Sequence, residues 1–250
     1  LELHYQPQVS PLGQQVVGCE ALIRWMKPHG EMVAPDVFIP LAEYTGLIVE
    51  IGDWVFAEAC QQIVRWDKEG LPHFRVGINI SAAQFREPDF VSKIAGVIES
   101  TGVSPARLEL EITESVAMED PESIARQLRE LKSLGLRVAV DDFGCGFSSL
   151  GSLNRLPFDR VKIDRAFVRE LTPETSQDCI ARMIVKLAKS LGLEVTAEGV
   201  ETEVQARLLG EMGCKEMQGF LYGRPMNADA LMGWITARSL PLGGFPGVDD

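Results

Sequence analysis

The stretch Arg137 to Leu150, RVAVDDFGCGFSSL, ends a short apolar run in two adjacent aspartates and a loop with two glycines. Val138, Ala139 and Val140 are small or β-branched, as a strand covered on both faces requires. A charged pair at the end of such a strand costs free energy unless cations and hydrogen-bond donors surround it. Asp141 and Asp142 therefore ask for a metal ion, although alone they read equally well as a helix cap or a turn, where aspartate is common.

Polar residues recur at strand ends in otherwise apolar settings, as in GINIS, LELEIT, RVKID and EVTAEG. By the two-residue period of a strand, Glu20, Leu22 and Arg24 share one face, and Asn79 shares the face of Ser81. Glu111, Lys162, Glu198 and Gln218 stand on further strands, at the ends where open α/β folds and barrels collect catalytic groups. A buried polar group without partners costs roughly 1–3 kcal/mol, and an unpaired charge more. So many inward carboxylates must share cations.

The donors are oxygen, with no His or Cys among them, which selects a hard ion, Mg²⁺ or Mn²⁺. Glu20, Glu111, Asp141, Asp142 and Glu198 would overload one ion, so the sequence predicts two, roughly 3.5–4 Å apart. Such a pair suits phosphodiester hydrolysis, in which polarised phosphoryl oxygens and an acidified water permit in-line attack. Lys162 stays protonated beside these anions and either orients the water or stabilises developing charge. The competing reading is an ordinary buried salt bridge to Asp164 or Asp141.

The elements that must position these groups alternate short β-branched runs with longer helical patterns, the signature of βα units and a largely parallel sheet. Strands are expected at Leu3 to Val9, Val16 to Trp25, Arg75 to Ser81, Leu108 to Thr113, Arg137 to Phe143, Arg160 to Asp164, Glu194 to Glu198 and Glu216 to Phe220. Only SPLGQQ separates the first two, too short for a parallel crossover, so they pair as an antiparallel hairpin. Helices are expected at Pro35 to Tyr44, Ile48 to Glu69, Pro88 to Thr101, Pro121 to Leu134, Ser176 to Leu191, Glu201 to Met212 and Ala228 to Ala237. Trp54, Phe56, Ile63, Val64 and Trp66 on the second of these read as core packing rather than a nucleotide stack.

With 250 residues and 46% hydrophobic content, the chain suits one large domain of α/β-barrel size, expected over residues 1–238, with a disordered tail over 239–250. Its start at Leu1, within an apparent strand and without an initiator Met, reads as a domain cut from a longer polypeptide. A net charge of −12 argues against a long nucleic acid as partner, whereas bound cations can reverse the local sign for a small phosphate ligand. The five cysteines are odd in number and widely spaced, which fits a reducing cytoplasm rather than a disulfide framework. Neither a membrane span nor a secretory leader is expected.

CEALIRW at Cys19 to Trp25, followed by GINIS, LELEITES, AVDDFGCGFSSL, VKID, TAEGVE and MQGFLYGRP, resembles the EAL-domain cyclic di-GMP phosphodiesterases. The motifs stand in the family's order from Tyr5 to Met226. A lone EAL tripeptide carries no weight, whereas the ordered set is specific. The resemblance implies a modified TIM (β/α)8 barrel with an antiparallel first strand, and opening of cyclic di-GMP to linear pGpG. It implies Glu20, Asn79, Glu111 and Asp141 as metal ligands, Asp142 chiefly for a second metal, and Lys162 as the catalytic lysine. Glu198 would support the metal cluster or its water, Gln218 would sit near lysine and water, and Glu201 would support the site from beyond Glu198. Arg24, with Leu22 on its face, would meet the substrate; Asp164 would make a structural or substrate-side contact; Glu114 would hold the loop after Asp142. It further implies a homodimer and an upstream sensor or GGDEF domain; Ca²⁺ is expected to inhibit, because a larger ion relaxes the geometry of the bridging water. Cys145 departs from the usual small residue or threonine, leaving the loop's anchoring open.

Other readings fare less well. His4, His29 and His73 lie outside every motif, against an HD-GYP phosphodiesterase with histidine ligands. DFGCG resembles a kinase DFG by letters alone. An enolase-type lyase also sets Mg²⁺ ligands and a lysine on barrel strands, but explains neither the Asp141 and Asp142 pair nor Arg24. A cyclic di-GMP receptor that binds without cleaving remains the principal alternative.

Overall fold

The computed structural model describes residues 1–11, 15–144, 155–177 and 179–239. Its strands are β1 (Glu2–Val9), β2 (Val16–Met26), β3 (Met32–Val33), β4 (Arg75–Asn79), β5 (Leu108–Thr113), β6 (Arg137–Phe143), β7 (Arg160–Ile163), β8 (Glu194–Ala197) and β9 (Glu216–Gln218). Neighbouring strands run in the order β1-β9-β8-β7-β6-β5-β4-β2, and β1 pairs β2 to close the ring. The result is an eight-stranded modified TIM barrel. β1 is antiparallel to both its neighbours, and the other strands of the ring pair in parallel. The short connection after Val9 thus makes the hairpin its length predicts.

Each strand splits by parity. The outward side chains Val76, Ile78, Leu108, Leu110, Ile112, Val138, Val140, Val161 and Ile163 are at most 1% exposed. They pack under helices that include Ile48–Lys68, Pro121–Ser133 and Ile180–Ser190. Phe56, Ile63 and Trp66 are buried in this layer and Trp54 and Val64 pack against it, so the long helix contributes core. Burying one large apolar side chain stabilises the fold by about 1.5–3 kcal/mol, and this layer carries that contribution many times over. The inward face differs: Arg75, Glu109, Glu111, Arg160, Lys162 and Thr196 are all buried inside the ring.

Several expectations about element ends need correction. β4, β7, β8 and β9 stop one or two residues early, so Ser81, Asp164, Glu198 and Phe220 begin the following segments. Three short helices were not expected: Ala82–Arg86, Glu114–Glu119 and Arg165–Arg169. Each starts where a side chain caps the backbone: Ser81 from Gln84 N, Thr113 from Val116 N and Asp164 from Ala166 N. One turn and a half is too short for an apolar period to show. Three longer helices start later than expected, at Phe90, Ile180 and Glu203. The strand β3 was missed as well; it adds two residues to the open end of β2. The tail expected over residues 239–250 lies, beyond Ser239, outside the described residues.

Candidate functional site

Parity brings the predicted residues together. Glu20 on β2, Glu111 on β5, Asp141 on β6 and Lys162 on β7 point into the ring near the ends where the parallel strands finish, and Glu198 follows β8. Lys162 Nζ lies 2.6 Å from Glu111, 2.7 Å from Glu198, 3.3 Å from Asp141 and 3.5 Å from Glu20, and its side chain is wholly buried. This lysine therefore joins four carboxylates rather than one, and Asp164 is not among them.

The aspartate pair needs a special backbone. Consecutive strand residues face opposite sides, so a regular strand would turn Asp141 and Asp142 apart. The β6–β7 register runs to Val140↔Val161 and resumes at Phe143↔Ile163, leaving one residue more on β6. Asp142 adopts φ 52°, the one positive-φ non-glycine among the described residues, and its N–H donates to Asp141 Oδ1 at 2.9 Å. A left-handed residue with a side chain costs about 1–3 kcal/mol and persists where the surroundings enforce it. The bulge sets Asp141, Asp142 and Glu198 so that one carboxylate oxygen from each lies within 4.8 Å of the others. Gly144 N donates to Glu114 Oε2 at 2.8 Å, which holds the chain just beyond the pair. Cys145 and the rest of that loop lie outside the described residues.

The electrostatics follow from crowding. Burial pushes the Glu111 carboxyl well above the carboxylate range, against the pull of Lys162, with Glu20 and Asp141 adding to the rise. Burial likewise raises Glu198 to about 8 and Asp142 to about 6, the latter helped by Asp141 and Asp164. Asp141 is raised for the same first reason. Glu20 goes the other way: burial would lift it, but Lys162 and hydrogen bonds from Gln218 and Asn79 together hold it below its ordinary value. Burial opposes the charge on Lys162, yet the carboxylates around it outweigh that and raise its pKa well above the usual lysine value.

The residues fit divalent cations. Glu111 Oε1 is buried with no hydrogen-bond partner, and a Cβ at Gly77 would stand 2.1 Å from it, so the glycine leaves space for this carboxylate. All the donors are oxygens, the set hard cations prefer.

The remaining residues frame this centre. Asn79 Nδ2 donates to Glu20 Oε1 at 2.6 Å, and Gln218 Nε2 to Glu20 Oε2 at 2.6 Å. Asp164 caps the helix Arg165–Arg169, and its charge adds to the rise at Asp142. Arg24 is partly buried and donates to Ile23 O at 2.8 Å. Glu201 is exposed at the rim of a cavity of about 600 Å³ that also reaches Glu20, Glu198 and Gln218. A second cavity, about 400 Å³, is walled by Ile23, Ile39, Ile48, Ile51, Val55 and Ile80 and includes Arg24. Leu22 and Asp142 border both.

Sequence reasoning stopped at the strand ends and missed the layer beneath. Gln6 and Gln8 on β1 and the cluster of Arg75, Glu109, Arg160 and Glu216 are buried inside the same ring. The signal was available, because Glu109 and Arg160 stand two residues before Glu111 and Lys162 on the same face.

Residues 1–225 match the family described as EAL domain. The chain is 43% identical over 236 residues to MucR of Pseudomonas aeruginosa, described as a bifunctional diguanylate cyclase/cyclic di-GMP phosphodiesterase, covering 94% of this chain and 34% of that protein. It is 42% identical over 224 residues to the signaling protein YkoW of Bacillus subtilis, covering 90% of this chain and 28% of that one. The chain thus spans about a third of the length of the curated relatives it matches. Among solved structures, the PaMucR phosphodiesterase in complex with c-di-GMP superposes with a TM-score of 0.87 at 43% identity, covering 92% of this chain and 93% of that one. The EAL domain of DcpA from Mycobacterium smegmatis gives 0.80 at 34% identity, covering 96% and 98%.

Proposed function

The chain belongs to the EAL-domain family of cyclic di-GMP phosphodiesterases, and from that premise we propose that it hydrolyses cyclic di-GMP to linear pGpG with two divalent metal ions. The observation that carries this reading is the imbalance at Lys162, where one cation faces Glu20, Glu111, Asp141 and Glu198. Glu20, Asn79, Glu111 and Asp141 would hold one ion and Asp142 chiefly the second, with Glu198 supporting both. Bound there, Mg²⁺ or Mn²⁺ supplies charge neutralisation and acidifies the attacking water.

The protein's own residues do the rest. Lys162, kept protonated by its neighbours, presents Nζ where negative charge develops on the phosphoryl group. Gln218 and Asn79 fix the Glu20 carboxylate by donating to different oxygens. Arg24 offers a cation beside the apolar cavity, and Leu22 and Asp142 form the ridge between the two cavities. A cyclic dinucleotide has two flat bases flanking its phosphodiester ring, which suits a ridge between two cavities. Glu201 contributes from the rim, and Asp164, which caps the helix Arg165–Arg169, makes a structural or substrate-side contact. The same reading includes a homodimer and an upstream sensor or GGDEF domain in the parent chain, acting in the cytoplasm. Among the described residues no helix is long and apolar enough to cross a membrane.

The deciding experiment incubates the chain with cyclic di-GMP and Mg²⁺ or Mn²⁺, with and without chelator, and resolves pGpG from GMP. Chelator-sensitive release of pGpG is expected. Tight binding without cleavage would replace the enzyme with a receptor.

A further inference from the structure

Three amides inside the ring join the two layers of charge. Arg75 Nη2 donates to Gln8 Oε1 at 3.2 Å, Gln8 Nε2 to Gln218 Oε1 at 2.9 Å, and Gln218 Nε2 to Glu20 Oε2 at 2.6 Å. Gln218 Nε2 also donates to Gln6 Oε1 at 3.0 Å, and Gln6 Nε2 to Gly223 O at 3.0 Å. Gln8 is 1% exposed and stands opposite Gly18 on one side and Gln218 on the other. A Cβ at Gly18 would come within 2.5 Å of Gln8 Oε1, so the amide occupies space that glycine leaves open.

The direction of this chain of hydrogen bonds is not free. A guanidinium only donates and a carboxylate only accepts, whereas an amide donates from one end and accepts at the other. Arg75 therefore obliges Gln8 to turn Oε1 toward it and Nε2 toward Gln218. That leaves Gln218 Oε1 accepting, and its Nε2 is the atom facing Glu20. Reversing Gln218 alone would set two donors together at Gln8 and place a carbonyl oxygen against the Glu20 carboxylate.

We propose that Gln8 is a positioning residue that acts through Gln218 to orient and charge-stabilise Glu20 for cation binding, its own orientation imposed by Arg75. The inference rests on the metal-dependent reading above and extends it to a residue that touches neither metal nor substrate. Because β1 runs against the other strands, it carries Gln8 down to Arg75 while Gln6 stays near the mouth, beside Gly223.

The test uses Gln8→Glu and Gln8→Met in the 250-residue chain. In Gln8→Glu the new carboxylate keeps an acceptor for Arg75 but has no donor for Gln218, so Gln218 turns its Nε2 to that carboxylate and its Oε1 to Glu20. Methionine removes both bonds without forcing that turn. Mn²⁺ binding by calorimetry, without nucleotide, is expected to weaken at least about tenfold in Gln8→Glu, and by less in Gln8→Met. The assigned Gln218 side-chain amide resonances should move in Gln8→Glu. A purely structural role predicts lower melting temperatures with unchanged Mn²⁺ affinity in the folded protein, and that result would overturn the proposal. If Gln8→Glu does not fold, Gln8→Met decides: weakened Mn²⁺ affinity with displaced Gln218 side-chain amide resonances supports the relay, and unchanged Mn²⁺ affinity overturns it. A wild-type chain that binds no Mn²⁺ overturns the metal-dependent reading itself. Normal wild-type binding with Gln8→Glu unchanged overturns the inference alone.

Discussion

Where the parallel strands begin, Arg75 pairs with Glu109 at 2.9 Å and Glu216 at 2.5 Å, and Arg160 with Glu109 at 3.1 Å and Glu216 at 2.7 Å. Arg137 and Glu194 pair at the margin of this cluster, and Thr196 hydroxyl accepts from Arg160 and donates to Glu216. Three arginines meet three glutamates, so the lower layer neutralises itself. Where the same strands end, Lys162 meets four carboxylates. The two layers are separated by two residues of strand, and their difference separates structure from site. Balanced buried charge holds a fold together, whereas unbalanced buried charge is an affinity for something else.

The largest expected effects break that contrast from the upper side. Glu20→Ala, Asn79→Ala or Asp141→Ala should each reduce hydrolysis of cyclic di-GMP to background, since small hard cations tolerate the loss of an oxygen ligand poorly. Normal turnover in any two of these variants would end the two-metal reading. Ca²⁺ should inhibit the wild-type, because a larger ion relaxes the required geometry, and strong activity with Ca²⁺ alone would contradict it.

From the lower side, Glu109→Ala leaves Arg75 and Arg160 each without one carboxylate in a closed interior. Breaking a buried ion pair from one side costs about 3–5 kcal/mol, and urea denaturation should show a loss of that order. Protein that remains folded should still bind Mg²⁺. A stability change within ~0.5 kcal/mol, the range of ordinary surface substitutions, would mean the lower cluster is not the structural one.

Next in size is a pair with opposite kinetic signatures. Lys162→Ala should lower kcat by roughly 10²–10³-fold with little change in KM, as for a group that acts on developing charge. Arg24→Ala should raise KM more than it lowers kcat. If Lys162→Ala instead raises KM at an unchanged rate, the lysine is only a phosphate clamp.

The excess of carboxylates also gives the metal-free protein a pH signature. Burial raises Glu198 from its ordinary 4.5 to about 8. Between those values the folded state binds the extra proton, so stability falls as pH rises and levels off above about 8. Glu198→Gln should flatten that decline while lowering turnover, and added Mg²⁺ should offset it in the wild-type. Equal pH slopes for wild-type and Glu198→Gln in chelator would show that this carboxyl ionises normally.

Much of this arrangement was readable because strand parity is a strict rule. Glu20, Glu111 and Lys162 sit where a two-residue period places them, and the hairpin follows from a connection too short to cross over. One further backward step of two residues leads from Glu111 to Glu109, from Lys162 to Arg160, from Glu198 to Thr196 and from Gln218 to Glu216. That lower layer was therefore readable and was missed, because polar residues at strand starts do not look catalytic. The bulge at Asp141 and Asp142 was not readable: parity sends adjacent residues apart, and only the backbone shows Asp142 in the left-handed region. The helix Glu114–Glu119 was hidden by its length, although Thr113 is an ordinary N-cap residue.

The smallest effect tests how far the upper layer depends on that bulge. Glu114 is 3% exposed, begins a helix directly after β5, and accepts from Gly144 N, two residues beyond Asp142. Its carboxylate therefore fixes the exit of the chain from the strained Asp142, a candidate second-metal ligand. Removing it leaves the lower charge layer and the apolar shell in place, so Glu114→Ala should fold and still bind cyclic di-GMP. Mg²⁺ affinity should fall by roughly tenfold, with turnover falling alongside, as when an outer support of a ligand is lost. Excess Mg²⁺ should recover part of the activity, which it would not do for Asp141→Ala. Sedimentation of the wild-type and of this variant reads whether the proposed homodimer forms and whether it needs Glu114. An unchanged Mg²⁺ titration with full turnover would mean that the bulge holds Asp142 without Glu114, and that any control of the site enters from another direction.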